Sequence, residues 1–313
     1  MASFDIPHTI GFCTISTLDH MPCVHALHDS LQRCNAGTVL HVFLSDVPSD
    51  CVETIEHSPG IRLYGIEDLC RDDVGRKIFE KYHAESMDNF RWSMKPVFLK
   101  YLLEHAGCEK LIYVDNDIYF FNEYAFLFDE LDVSDVLLTP HWRASDPHED
   151  PVNFFTLYTS GIYNGGFVGV NKNALKVLEW WAGACLYVCE KNEARGQYVD
   201  QVHLNLLPIY FDNVKIIKHR GCNVANWNQV ECARVEKDGS VLINGKDPVV
   251  FIHFTKSTIR GIVKGEDALL AQFLNTYREN LQRYGVDLPD AAMSGPADVA
   301  PGIFTRIRAL ING

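Results

Sequence analysis

Leu111-Ile-Tyr-Val-Asp-Asn-Asp-Ile-Tyr-Phe-Phe121 is the stretch on which the reading of this chain turns. Four apolar residues, mostly β-formers, run into Asp115 and Asp117, and a second apolar run follows at once. A strand inside an α/β chain presents the residues at its carboxyl end to the crevice where ligands bind. With Asn116 between them, both acids face one side, because strand side chains alternate. Two carboxylates with only oxygen ligands suit a hard divalent cation, whose shell is completed by waters and substrate phosphates. A bare Asp-x-Asp also occurs in strand-capping turns and solvated acidic loops. The flanking apolar runs argue against the solvated loop.

Upstream, Thr9-Ile-Gly-Phe-Cys-Thr-Ile15 reads as a first strand, and Pro22 stands in the first turn of a helix with apolar positions 24, 27 and 31. Val39–Leu44, ending at Ser45-Asp46, and Ile61–Tyr64 read as the next strands. This β-α-β opening predicts an α/β fold with a mainly parallel sheet flanked by helices, and a nucleotide-type site at the strand ends. The glycine-rich fingerprint after the first strand is missing, which argues against a dehydrogenase. Residues 67–92 and 143–160 are polar and aromatic and read as loops that shape an acceptor site. Between the first of them and the acidic strand, a helix starts near Ser93, with Pro96 in its first turn and Gly107 past its end. Lys95 opens it; by itself it reads as a solvated lysine.

Downstream, Asp135–Thr139 is a strand leading to His141-Trp-Arg143. Asn164-Gly165-Gly166 precedes a buried strand, either as a close backbone approach or as a plain hairpin turn. A long apolar helix follows at about residues 174–189. Asp200 and Gln201 fall in the first turn of a helix expected over 198–207, where an acid also simply favours the dipole. Residues 233–243 read as a hairpin around Asp238-Gly239, and Val249–Phe254 as a buried strand carrying His253. A lone histidine in an apolar strand is more often a core residue than a ligand. Lys256 and Arg260 follow it, and then a helix from Ala268 to Tyr284. The expected division is one catalytic domain over 1–285, then a linker and a short amphipathic helix within 286–313. That closing helix is read as packing or self-association into a homo-oligomer, with peripheral membrane contact as the alternative.

The net charge of −13 speaks against nucleic acid as the main partner, since phosphate binding needs a basic face. No apolar run approaches the roughly 20 residues of a membrane-spanning helix, and the first residues lack the pattern of a secretion signal. The ten cysteines are scattered, with no Cys-x-x-Cys pair, as free thiols of a cytoplasmic protein would be.

Each motif has a bland explanation alone; their order does not. A nucleotide-type opening, a basic helix start, Asp115-Asn-Asp117, Tyr-Asn-Gly-Gly166, Asp200-Gln201 and His253-Phe-Thr-Lys256 follow one another. Over roughly residues 8–262 this order resembles the GT-A fold glycosyltransferases, most closely the retaining family 8 type (glycogenin and bacterial lipooligosaccharide galactosyltransferases). The resemblance implies a Mn²⁺ or Mg²⁺ ion held by Asp115, Asp117 and His253 against the phosphates of a nucleotide-diphospho sugar, a UDP-sugar first and a GDP-sugar second. It implies that Lys256 meets the departing diphosphate and Lys95 the donor phosphate or sugar. Asn164, Asp200 and Gln201 would line the reacting sugar. Thr14, Ile15, Ser16, Asp46 and Asn116 would sit along the nucleotide. The acceptor is a hydroxyl of a glycan, lipid or protein. The chain departs from the family pattern in having Lys95 where arginine is common, and Thr255-Lys256-Ser-Thr-Ile-Arg260 where Gly-x-x-Lys-Pro-Trp is usual.

Three other readings compete. The first is an inverting transferase with Asp200 as base. The second is a phosphatase of the haloacid dehalogenase type with the first acid as nucleophile, against which the pair is followed by Ile118-Tyr119 and not by a threonine. The third is a non-catalytic sugar-nucleotide binder using Trp92, Trp142 and Trp227 as stacking platforms.

Overall fold

β1 (Ile10–Ser16), β2 (Val39–Leu44), β3 (Ile61–Tyr64) and β4 (Lys110–Val114) are the apolar runs anticipated above, and they pair in parallel. The structure, a computed structural model, describes residues 9–288. The expected linker beyond residue 288 and the helix at 302–311 lie outside the described residues. β5 (Ile118–Phe120) leaves the sheet, while β6 (Val136–Pro140), β7 (Tyr163–Asn171) and β8 (Val214–Ile216) complete it in the order β8-β6-β7-β4-β1-β2-β3. β7 runs against both its neighbours, β4 and β6, so the sheet is mixed but mainly parallel, as expected. β9 (Phe251–His253) pairs with β5 alone among the strands.

The alternation of β4 explains why its sequence is apolar throughout. Leu111 and Tyr113 pack into one buried cluster, Ile112 and Val114 into the other, so both faces are covered. On the second face, α1 (Met21–Cys34) contributes Val24, Leu27 and Leu31, all fully buried, at about 2 kcal/mol each by area. On the first, α2 (Lys95–His105) packs beside the long helix Leu175–Tyr187 through Leu99, Leu102, Leu178 and Trp181. No helix among the described residues is long and apolar enough to cross a membrane. All ten cysteines are free thiols.

Four expectations are corrected. Residues 67–92 are not a loop: Asp72 caps a helix over Asp73–Tyr82 and Ser86 caps another over Met87–Ser93. The stretch 143–160 contains a helix, Pro151–Ser160, capped by Asp150 with Pro151 in the first turn. Asn164-Gly165-Gly166 lies inside β7, not in a turn before it. Gln201–Leu206 is a 3₁₀ run, continued by a short helix Leu207–Tyr210, in place of one helix over 198–207.

Candidate active site

Strand order reverses about β1: the chain steps outward through β2 and β3, then returns to β4 on the other side. Such a switch point opens a crevice at the carboxyl ends of the two central strands. Asn116 Nδ2 bridges them, donating to Ser16 Oγ at 2.9 Å. Because β7 is antiparallel, its first residues arrive at the carboxyl end of β4, and Asp115 N donates to Gly166 O at 3.0 Å. The β5–β9 pairing sets His253 opposite Ile118, and Phe254 N donates to Asp117 O at 2.8 Å. Local pairings thus gather residues from across the chain.

Asp115, Asp117 and His253 each offer a ligand atom, and these atoms lie within 4.8 Å of one another. His253 Nε2 is 2.9 Å from Asp117 Oδ1 and 3.8 Å from Asp115 Oδ2. The ring's other nitrogen lies 3.1 Å from Asn164 Nδ2, and Trp227 packs edge-on at 5.4 Å. Burial pulls the imidazole pKa down, but the two carboxylates outweigh it and hold it above the usual value. For Asp117, burial pushes upward and His253 pulls further down, leaving it below the ordinary carboxylate range. Gly166 makes this approach feasible. A Cβ there would stand 2.7 Å from Asp115 Oδ2 and 2.7 Å from His253 Cε1.

Lys95 is 4% exposed, far from the solvated lysine of the bland reading. Its Nζ donates to Gly165 O at 2.9 Å and lies 3.3 Å from Asp115 Oδ1 and 3.4 Å from Asp200 Oδ2. Burial opposes its charge, yet Asp115 and Asp200 more than offset that and raise its pKa. Asp200 does not cap the 3₁₀ run it precedes; its carboxylate faces Lys95 instead. Burial raises it, Lys95 lowers it, Asp115 raises it again, and the outcome is about 6. Val199, just before it, holds φ 50, a left-handed conformation that costs a β-branched residue on the order of 1–3 kcal/mol. Gln201 links two segments, Oε1 accepting from Gly165 N at 2.9 Å and Nε2 donating to Ser160 O at 2.6 Å.

Two adjoining cavities of about 270 and 300 Å³ share Trp92, Lys95, Asp115 and Asp117. The first is also lined by Ile15, His20, Arg91 and Asn116, the second by Asn164, Asp200, Gln201 and His253 with His141, Arg143 and Trp227. A cavity of about 600 Å³ beside Asp72, Tyr101 and His105 shares no residue with them. Of the residues expected along the nucleotide, Ile15 and Asn116 reach the cavity wall. Thr14 is fully buried within β1, and Ser16 serves Asn116. Asp46 is exposed and accepts from Leu18 N at 3.0 Å, tying down the loop after β1. Lys256 is exposed at the start of Lys256–Val263, outside both linings. Trp142 is no free platform, since the Arg220 guanidinium covers its ring at 3.4 Å. Sequence reasoning missed Tyr113, whose hydroxyl donates to Asp115 Oδ1 at 2.8 Å; its position two residues before Asp115 on one strand face was the available signal. It also missed His20, Arg91, His141 and Arg143 as wall residues.

No family model matches the chain. The uncharacterized protein YfnD of Bacillus subtilis (strain 168) is 27% identical over 266 residues, covering 80% of this chain and 79% of the relative. YfnF of the same organism, also uncharacterized, is 24% identical over 250 residues, covering 79% and 81%. Among solved structures, mouse xyloside xylosyltransferase 1 superposes with a TM-score of 0.50 at 12% identity, over 80% of this chain and 98% of that one. An active-site mutant of LgtC gives 0.50 at 14% identity, over 78% and 86%. The chain has the GT-A glycosyltransferase fold, the fold of LgtC, a family 8 member.

Proposed function

We propose that this chain is a metal-dependent glycosyltransferase. It moves a sugar from a nucleotide-diphospho donor, a UDP-sugar first, to a hydroxyl of a glycan, lipid or protein, using one catalytic domain over residues 1–285. The observation that carries this reading is the convergence of Asp115, Asp117 and His253 at the carboxyl end of β4, with the Lys95–Asp200 pair behind them. The likeness in fold to solved glycosyltransferases supports it. The ten free thiols fit a reducing compartment, and the cytoplasm is the setting we propose.

The residues fit a divalent cation. Two carboxylate oxygens with one imidazole nitrogen favour Mn²⁺ over Mg²⁺. The gap beside Gly166, which a Cβ would fill, keeps the ligand atoms clear. A cation there would displace any proton shared by His253 Nε2 and Asp117, so its affinity would fall at low pH. Once bound, the ion supplies positive charge to the donor phosphates and the departing diphosphate. Lys95 is a fixed charge and not a proton donor, because both its acids hold the proton on it. Asn164 steadies the histidine ring and, through Oδ1, accepts from Gly166 N at 2.8 Å. Beyond its ionic contact with Lys95, neither oxygen of Asp200 accepts a hydrogen bond among the described residues. The carboxylate is thus free to face charge developing on the sugar, which suits retention. Its pKa near 6 favours one alternative, in which Asp200 is the base of an inverting reaction. The anomeric configuration of the product separates the two.

A thermal-shift screen of UDP, GDP, CDP and dTDP, each with and without Mn²⁺, tests the main reading. A nucleotide at 100 times its dissociation constant stabilises the fold by about 2.7 kcal/mol. A metal-dependent shift for one base supports the transferase. No shift with any nucleotide refutes it.

A further inference from the structure

The part of the cavity beyond Asp200 carries a charge pattern that the reaction above does not use. Arg143 lines it, and no carboxylate among the described residues lies within 4 Å of its guanidinium. Its Nε is buried without an acceptor among the described residues, and its Nη2 makes a long bond to Ser160 Oγ at 3.4 Å. The Asp150 carboxylate attracts the guanidinium only from beyond ion-pair distance, and its Oδ1 accepts from Asn153 N at 3.0 Å. Lys191 lines the same wall, also without a carboxylate partner, its Nζ 5.1 Å from the centre of the Tyr198 ring. Trp227, another wall residue, has a buried Nε1–H with no acceptor among the described residues. The three acids of this cavity, Asp115, Asp117 and Asp200, already face Lys95 and His253.

A half-buried guanidinium with no carboxylate in direct contact leaves donors to be used, and its planar fork matches a carboxylate. The lining of this cavity therefore carries, among the described residues, two buried N–H donors without an acceptor, Arg143 Nε and Trp227 Nε1, and two cations outside any ion pair, Arg143 and Lys191. We infer that this part of the cavity binds a carboxylate carried by one of the two sugar substrates, with Arg143 and Lys191 as its cationic partners. Arg143 also stands at the end of a relay into the site: Ser160 O accepts from Gln201, and Gln201 Oε1 accepts from Gly165 N, whose carbonyl holds Lys95. The inference rests on the transferase reading. The anion belongs either to the transferred sugar, as in a uronic acid, or to the acceptor.

The test uses the full chain with Mn²⁺ and two matched probe pairs, read by titration calorimetry. UDP-glucuronic acid against UDP-glucose addresses the donor. p-Nitrophenyl glucuronide against p-nitrophenyl glucoside, with and without UDP, addresses the acceptor. One pair should show at least a tenfold preference for its anionic member. Arg143→Gln should erase that preference, Arg143→Lys should keep part of it, and UDP affinity should stay within twofold. Lys191→Gln, at an exposed position, should halve the preference or more with no demand on folding. Equal affinities within both pairs overturn the inference, as does a loss in Arg143→Gln common to charged and neutral probes. A tenfold loss for UDP itself also overturns it, by assigning the guanidinium to the diphosphate. Failure of UDP to bind at all counts against the transferase reading, and the glucuronide pair without nucleotide still decides this one.

Discussion

Gly166→Ala isolates the packing that lets the three candidate ligands approach one another. The new Cβ would lie 2.7 Å from Asp115 Oδ2 and 2.7 Å from His253 Cε1, against roughly 3.5–4.0 Å for an unstrained contact. Gly166 is not among the positive-φ glycines, so alanine suits the backbone and only the collision is tested. Neither neighbour can retreat freely. Asp115 is held by the Tyr113 hydroxyl at 2.8 Å, and His253 by Asn164 and Trp227. Overpacking of this kind costs about 1–3 kcal/mol. If that strain is relieved by spreading the ligands, Mn²⁺ affinity falls roughly 5- to 140-fold, at about 1.4 kcal/mol per factor of ten. Gly169→Ala on the same strand is the control, because its Cβ would meet the side chain of Leu137 at 2.9 Å, away from the acids. It should lower stability and leave Mn²⁺ binding alone. Titration of Mn²⁺ into each variant, with and without UDP, measures both effects. Wild-type affinity in Gly166→Ala, or an equal loss in Gly169→Ala, would refute the reasoning.

Asp117→Asn should abolish the metal-dependent part of any nucleotide-induced thermal shift, and a shift of wild-type size would remove Asp117 from the ligand set. Activity should fall as the pH drops through about 6, where Asp200 takes up a proton, and Lys95→Met should move that limb upward because Lys95 is what pulls Asp200 down; a pH–rate profile unmoved by Lys95→Met would separate the limb from Asp200. His41, buried between β1 and β3, titrates at about 4 in the folded chain, pushed down chiefly by burial and further by Arg62, against 6.5 when unfolded. Its lowered value means the contribution is complete above pH 6.5 and is lost as the pH falls toward 4, by up to about 3 kcal/mol. Urea unfolding across that window should show a shallower slope in His41→Gln than in wild type, the remainder coming from His141 and the other buried histidines.

The sheet was legible where strands are covered on both faces, because Leu111 to Val114 and Val39 to Leu44 must then be apolar throughout. The helix Pro151–Ser160 was not, since Ser160 is its only buried residue and Val152, Phe155 and Tyr158 are exposed. An apolar stripe that faces outward gives periodicity reasoning nothing to anchor to the core. Met87–Ser93 spans too few turns to show a stripe at all. Asn164-Gly165-Gly166 looked like a turn because local chemistry favours one. Tertiary partners decide otherwise: Gly165 N donates to Gln201 Oε1 and Gly166 O accepts from Asp115 N, which holds the segment extended. Asp115, Asp117 and His253 could be nominated from their types and strand positions. Arg143 could not, because an arginine after a strand carries no pattern, and its isolation from carboxylates exists only in three dimensions.

The pairing of β9 with β5, outside the main sheet, has a consequence for how the protein matures. Synthesis delivers Asp115 and Asp117 long before His253, and all seven strands of the central sheet precede β9 in the chain. An emerging polypeptide therefore displays the two acids as a simple open pair, a weak and unselective chelator. The histidine joins them only through a long-range contact, the kind that forms slowly because its loop must close first. On the proposed metal site, selective capture of an ion would accordingly be a late property of the molecule. It would seal a nearly finished fold and not seed it.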